Sequence, residues 1–124
     1  AELSPFGGRH FERAAPGELF RIDWMGGVRP GRSQVALWAN GTPGDRLRVS
    51  VVFKQYHFID AQRYGQTVTD VVSAREVVLT RAGWHAAAVG AIEKPRDCYF
   101  NDVVVELLKA AGPGPVRVSQ LLIE

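Results

Sequence analysis

Leu47, Val49, Val51 and Phe53 alternate with Arg48, Ser50, Val52 and Lys54. This period of two, with one apolar face, is what a half-buried antiparallel strand requires. The strand can extend through Tyr56 and Phe58, where the clean alternation gives way to an aromatic run. Around it lie other short runs of strand-forming residues, each closed by turn chemistry. Leu19–Trp24 is followed by Gly26-Gly27 and Arg29-Pro30-Gly31. Ser33–Ala39 is closed by Asn40-Gly41, a tight-turn signal, and the loop extends through Thr42-Pro43-Gly44-Asp45. Ala61–Gly65 reads as a loop, within a longer loop spanning 58–66. Thr67–Ser73 and Arg75–Thr80 are β-rich, and Ala82-Gly83 turns the chain into Trp84–Val89. Glu93–Asp97, which contains Pro95, is a loop.

Two patterns fit residues 101–111. Val103, Val104, Leu107, Leu108 and Ala111 make a helical stripe, with Asn101 as N-cap and Gly112 as stop. Val103, Val105 and Leu107 equally share one strand face. Three consecutive valines and the shortness of every other element favour the strand. Gly112-Pro113-Gly114-Pro115 then breaks the chain before Val116–Ile123. In that last run Val116 and Val118 share a face, but the apolar set resumes at Leu121 and Ile123. A phase slip of one near Ser119-Gln120 is the mark of a β-bulge.

About eight short strands with regular turns predict an all-β fold, an antiparallel β-sandwich of jelly-roll type. With 124 residues the chain suits one domain with one core. Residues 1–18, rich in Gly, Pro and charge, read as an N-terminal arm or lead-in strand with Phe6 and Phe11 as anchors, and 19–124 as the sandwich.

Composition excludes several classes of function. Apolar residues at 46% and charged residues at 23% are those of a globular chain, not a disordered one. No apolar run approaches the ~18 residues of a membrane span. The net charge is +2, and the basic residues, twelve Arg and three Lys, are scattered, so there is no nucleic-acid footprint. Cys98 is the only cysteine, so no intrachain disulfide can form; it reads as a small buried hydrophobe.

Val77–Val89 (VVLTRAGWHAAAV) resembles the strand–turn–strand signature "apolar-x-Leu-x-x-Gly-Trp-His" of jelly-roll carbohydrate-binding modules. Val103–Glu124 resembles their last two strands, with a Gly/Pro-rich turn and a bulged final strand, and Val35–Val52 matches the strand pair ahead of these. The resemblance covers about the C-terminal two-thirds. It implies the jelly-roll fold and, more weakly, sugar binding, since jelly rolls host many functions. Such modules often carry an acidic pair at the final bulge, where this chain has Ser119 and Gln120.

No catalytic or metal constellation stands out. His10, His57 and His85 are the three histidines, and His85 is followed by Ala86 and Ala87, so the paired histidines of a cupin-type metal site are absent. Ser50, His57 and Asp60 lack a nucleophile-elbow context. Asp23, Asp60, Asp70 and Asp102 sit in unrelated segments, and Gly26-Gly27 lacks phosphate-loop spacing. Asn40-Gly41-Thr42 matches a glycosylation acceptor, but its turn role explains it.

The aromatics are the better lead, because their faces stack on the apolar face of sugar rings. Trp84 is expected to pack in the core. Trp38 is out of phase with Val35 and Leu37 and is expected to face away from it. Tyr56 and His57 end the longest strand, and Tyr64 lies in the polar loop that follows, where sandwiches carry function. Trp38, Tyr56, His57 and Tyr64 are therefore the candidate ligand-binding residues. The expected function is that of a non-catalytic binding module for carbohydrate, without cofactor or metal. The alternative is a structural subunit of a virion, filament or multi-subunit complex. There the arm would dock on a protein partner or on another copy in a homo-oligomer. The compartment stays open, with an extracytoplasmic or extracellular setting slightly favoured.

Overall fold

The computed structural model describes residues 10–24, 31–60, 65–95 and 98–123. Among them there is no helix. Eight strands are formed: β1 (Phe11–Arg13), β2 (Gly17–Trp24), β3 (Gly31–Asn40), β4 (Arg46–Asp60), β5 (Gly65–Val78), β6 (His85–Lys94), β7 (Cys98–Lys109) and β8 (Val116–Ile123). They make two four-stranded antiparallel sheets, ordered β1-β8-β3-β6 and β2-β7-β4-β5. The helical reading of 101–111 gives way to β7, whose Val103, Val104 and Val105 are all buried.

The pairings are nested. β4 pairs with β5, β3 with β6, β2 with β7 and β1 with β8, and successive pairs alternate between the sheets. One long hairpin is thus wound over itself, which is the jelly-roll arrangement. The inner faces are the apolar phases of the strands. Val35, Leu37 and Ala39 of β3, Val116 and Val118 of β8, and Val89 and Ile92 of β6 face Leu47, Val49, Val51 and Phe53 of β4 and Val103, Val105 and Leu107 of β7. At one side of the sandwich, Phe11 stacks on Phe20 at 5.0 Å, joining the edge strands β1 and β2 of the two sheets.

Three features differ from the expectations. Asn40-Gly41 is not a hairpin turn, because β3 and β4 belong to different sheets. The chain instead turns at Thr42-Pro43-Gly44-Asp45, where the Asp45 amide donates to the Thr42 carbonyl at 3.0 Å. Gly44 holds φ 97° there, the third position of a type II turn that Pro43 opens. Thr67–Ser73 and Arg75–Thr80 form a single strand, β5, ending at Val78. The long loop at 58–66 is a hairpin: Phe58 pairs with Gln66 and Asp60 with Gly65.

The bulge is where the phase slip put it. Trp38 pairs with Gln120 and Ala39 with Val118, leaving Ser119 as the extra residue, and Leu121 returns to pack against the core. No helix among the described residues is long and apolar enough to cross a membrane.

Candidate functional site on the outer sheet face

Along β3 the burial alternates strictly from Ser33 to Asn40. Val35, Leu37 and Ala39 point inward, so Gln34, Ala36, Trp38 and Asn40 point out. The neighbours on this outer face are small. Trp38 lies between Ala86 of β6 and Gln120 of β8, and Ala36 lies between Ala88 and Leu122. Alanines leave the sheet floor low beside the indole. The result is a depression of about 350 Å3 lined by Gln34, Ala36, Ala86, Ala88, Gly90 and Leu122. A second bulge, between Val35 and Ala36 on the β6 side, bends the strand at this spot.

The other end of the same face is polar and aromatic. Trp84 immediately precedes β6 and is half-buried, not a core residue as its sequence context implied. The adjacent His85 takes the inward position, 4% exposed. His10 meets Trp84 edge-on, with ring centroids 6.1 Å apart. Glu12 Oε2 accepts from Arg117 Nε at 3.1 Å and lies 3.7 Å from His10 Nε2. Arg117 pairs with Glu12 on one side and Asn40 on the other, which sets this cluster at the end of β3.

Three buried polar atoms have no partner among the described residues: Trp38 Nε1, Ser119 Oγ and His85 Nε2. For His85 the geometry fixes the role of the other ring nitrogen. Nδ1 lies 2.9 Å from the Gly83 carbonyl and so carries a proton and donates. Trp38 and Ser119 are both residues of the β3–β8 bulge.

Trp38 and the backbones of Tyr56 and His57 lie in opposite sheets. Trp38 is in the β1-β8-β3-β6 sheet and on its outer face. Tyr56 and His57 are in the opposite sheet, within β4, with their backbones opposite Val68 and Thr67. Their side chains, and Tyr64 altogether, lie outside the described residues, as does the side chain of Cys98. His10, Glu12, Trp84 and Arg117 form a cluster of their own at the end of β3, in the sheet that carries Trp38. Sequence reading missed this group because Glu12 and Arg117 are 105 residues apart, and only the β1–β8 pairing brings them together.

The outer face of the other sheet mixes charged residues with the exposed valines Val72 and Val78. Arg48 lies between Glu76 and Glu106 in register and pairs with Glu76 at 3.7 Å. Such exposed pairs describe a hydrated surface. Among the described residues no group of three His, Cys, Asp or Glu could hold a metal ion.

Comparison of the chain with protein families, with curated proteins and with solved structures finds no match.

Proposed function

We propose that this domain is a non-catalytic binding module that takes carbohydrate across the outer face of the β1-β8-β3-β6 sheet. The observation that carries this reading is Trp38, an outward, half-buried indole paired with Ala86, on the same face as the depression lined by Ala36, Ala86 and Ala88. An apolar ring face next to a low floor suits the flat, CH-rich face of a pyranose. Gln34 and Gln120 supply amides beside it, and the His10–Glu12–Arg117 cluster supplies polar groups at the far end. From Gln34 to Asn40 the strip runs six residue steps, about 20 Å at the rise of a strand, long enough for several sugar units.

A glycan array on the wild-type domain, paired with Trp38→Ala, tests the reading. Hits lost in Trp38→Ala, with the fold retained by circular dichroism, support it. Hits unaffected by Trp38→Ala place binding elsewhere, and an array without hits overturns it.

A second reading, an assembly subunit, rests on the β4–β5 hairpin. The β4–β7 pairing ends at Gln55 opposite Cys98, while β4 and β5 remain paired out to Asp60 and Gly65. Among the described residues, the backbone of 56–60 is therefore paired on one side only. A partner strand would complete it. A sizing column separates the readings: a monomer with glycan hits favours the first, and an oligomer without them favours the second.

A further inference from the structure

We infer that Arg75 guards the edge of β5, keeping a second copy of this chain from adding its own β5 to the β2-β7-β4-β5 sheet. This guard is independent of the carbohydrate reading, which uses the opposite sheet.

β5 is a strand of 14 residues at the end of its sheet, and among the described residues it pairs with β4 alone. A long edge strand offers its unpaired backbone to any strand of matching pattern. The outer face of β5 raises that hazard, with Val72 59% and Val78 44% exposed. The two valines are placed symmetrically about Arg75. An antiparallel pairing of two β5 edges centred on Arg75 sets Val72 of each copy opposite Val78 of the other, and Ser73 opposite Val77. The same register sets Arg75 opposite Arg75, and like charges directly opposite destabilise a strand pair. The phase of Arg75 adds to the effect. It stands opposite the core residue Val49 and two positions from the buried Val77, so it occupies the inward phase of β5. Its side chain is nevertheless exposed, and Nη1 donates to the Ala74 carbonyl at 2.9 Å, engaging an acceptor of the strand's own backbone. A charge in the inward phase of an edge strand is a device by which sheets resist edge-to-edge growth. The other sheet protects its own long edge in the same manner. β6 pairs with β3 alone among the described residues, is bulged against Val35 and Ala36, and holds Lys94 in its inward phase.

Sedimentation velocity of the full chain over a range of concentrations tests this. Arg75→Thr and Arg75→Gln each remove the charge from an exposed position, so both are expected to give the wild-type circular dichroism spectrum. Both are expected to self-associate at least about fivefold more tightly than the wild type, the factor that one like-charged cross-strand pair is worth. Arg75→Glu again sets like charges opposite each other and is expected to sediment as the wild type does. Arg48→Thr, an equal loss of charge on β4 in the interior of the same sheet, is expected to do likewise. Adding Val72→Lys to Arg75→Thr puts a charge back on the edge and is expected to restore wild-type sedimentation. Arg75→Thr and Arg75→Gln both sedimenting as the wild type would overturn the guard. So would association of Arg75→Glu or Arg48→Thr to the same extent as Arg75→Thr. Association that persists in Arg75→Thr/Val72→Lys places the contact away from the β5 edge and overturns it as well.

Discussion

The carboxylate of Asp45 accepts from the backbone N–H of Ala111 at 2.5 Å, tying together two turns 66 residues apart in the chain. Its other oxygen accepts from the Thr42 N–H at 2.7 Å, and Asp45 itself is only 1% exposed. The backbone of the same residue accepts from Leu79 N at 2.9 Å, while Gly44 N donates to Leu79 O at 2.8 Å. The turns β3–β4, β5–β6 and β7–β8 are thus latched at one end of the sandwich through one side chain and its peptide.

Asp45→Ala is expected to destabilise the domain by about 2 kcal/mol, because two part-buried N–H groups lose a charged acceptor at once. Asp45→Asn is expected to cost less, since its one carbonyl oxygen still accepts, although its amide then meets a donor. Urea unfolding of the three proteins checks the order. Equal midpoints for wild type and Asp45→Ala would show that the latch contributes nothing.

Gly41 belongs to the same latch for reasons of space. A Cβ there would meet Asp45 Oδ2, and Leu79 Cδ1 at 2.8 Å. Gly41→Ala must push the carboxylate off its two donors or displace a buried leucine. It is expected to cost about 2 kcal/mol, in the range of overpacking. In the double variant Gly41→Ala/Asp45→Ala the loss is expected to be smaller than the sum, since part of the clash has gone. Strict additivity in thermal melts would count against this contact.

Much of this architecture was legible, and the reason is the period of two. Leu47 to Phe53 and the slip at Ser119 report burial directly, because one face of each strand meets the other sheet. The turn at Asn40-Gly41 was misread because local turn chemistry does not say whether the next strand returns to the same sheet or crosses. The contact that ties this turn to the rest of that end, Asp45 with Ala111, spans 66 residues, and no short window contains both. The stretch 58–66 looked like a loop because Gln55-Tyr56-His57-Phe58 breaks the clean alternation, yet the backbone ladder with β5 continues through it. Of the candidate residues, Trp38 was legible from its phase in β3, while the side chains of Tyr56 and His57, and Tyr64 altogether, lie outside the described residues. The other residues of Trp38's sheet face came from β1, β6 and β8, whose places in that sheet follow from the nested topology and not from any local pattern.

Burial contrasts sharply between the two faces. Leu37 is fully buried between the sheets, whereas Val72 is 59% exposed on β5. Leu37→Ala is expected to lose about 3 kcal/mol, the transfer and cavity cost of a core leucine. Val72→Ala is expected to change stability by less than about 0.5 kcal/mol. Chemical denaturation of both variants tests the inward assignment of β3 and the outward assignment of Val72 on β5 together. A reversed order of costs would mean that one of the two strands is out of phase.

The end of the β4–β5 hairpin is expected to be dispensable for folding. Past Gln55 the two strands pair with each other and, among the described residues, with no third strand. A two-stranded ribbon alone contributes little stability in water. His57 and Thr67 stand directly opposite one another, which is the geometry a two-residue turn connects. Replacing residues 58–66 by Asn-Gly therefore keeps the register of everything below. The shortened domain is expected to unfold within about 1 kcal/mol of the wild type, the scale of changes outside the core. Its role then separates the two proposed functions. A carbohydrate-binding domain using the opposite sheet keeps its glycan affinity after the trim. An assembly subunit that pairs through the ribbon loses its oligomer on a sizing column. A trimmed domain that fails to fold would show that residues 58–66 support the sandwich itself, against the independence that the strand pairings imply.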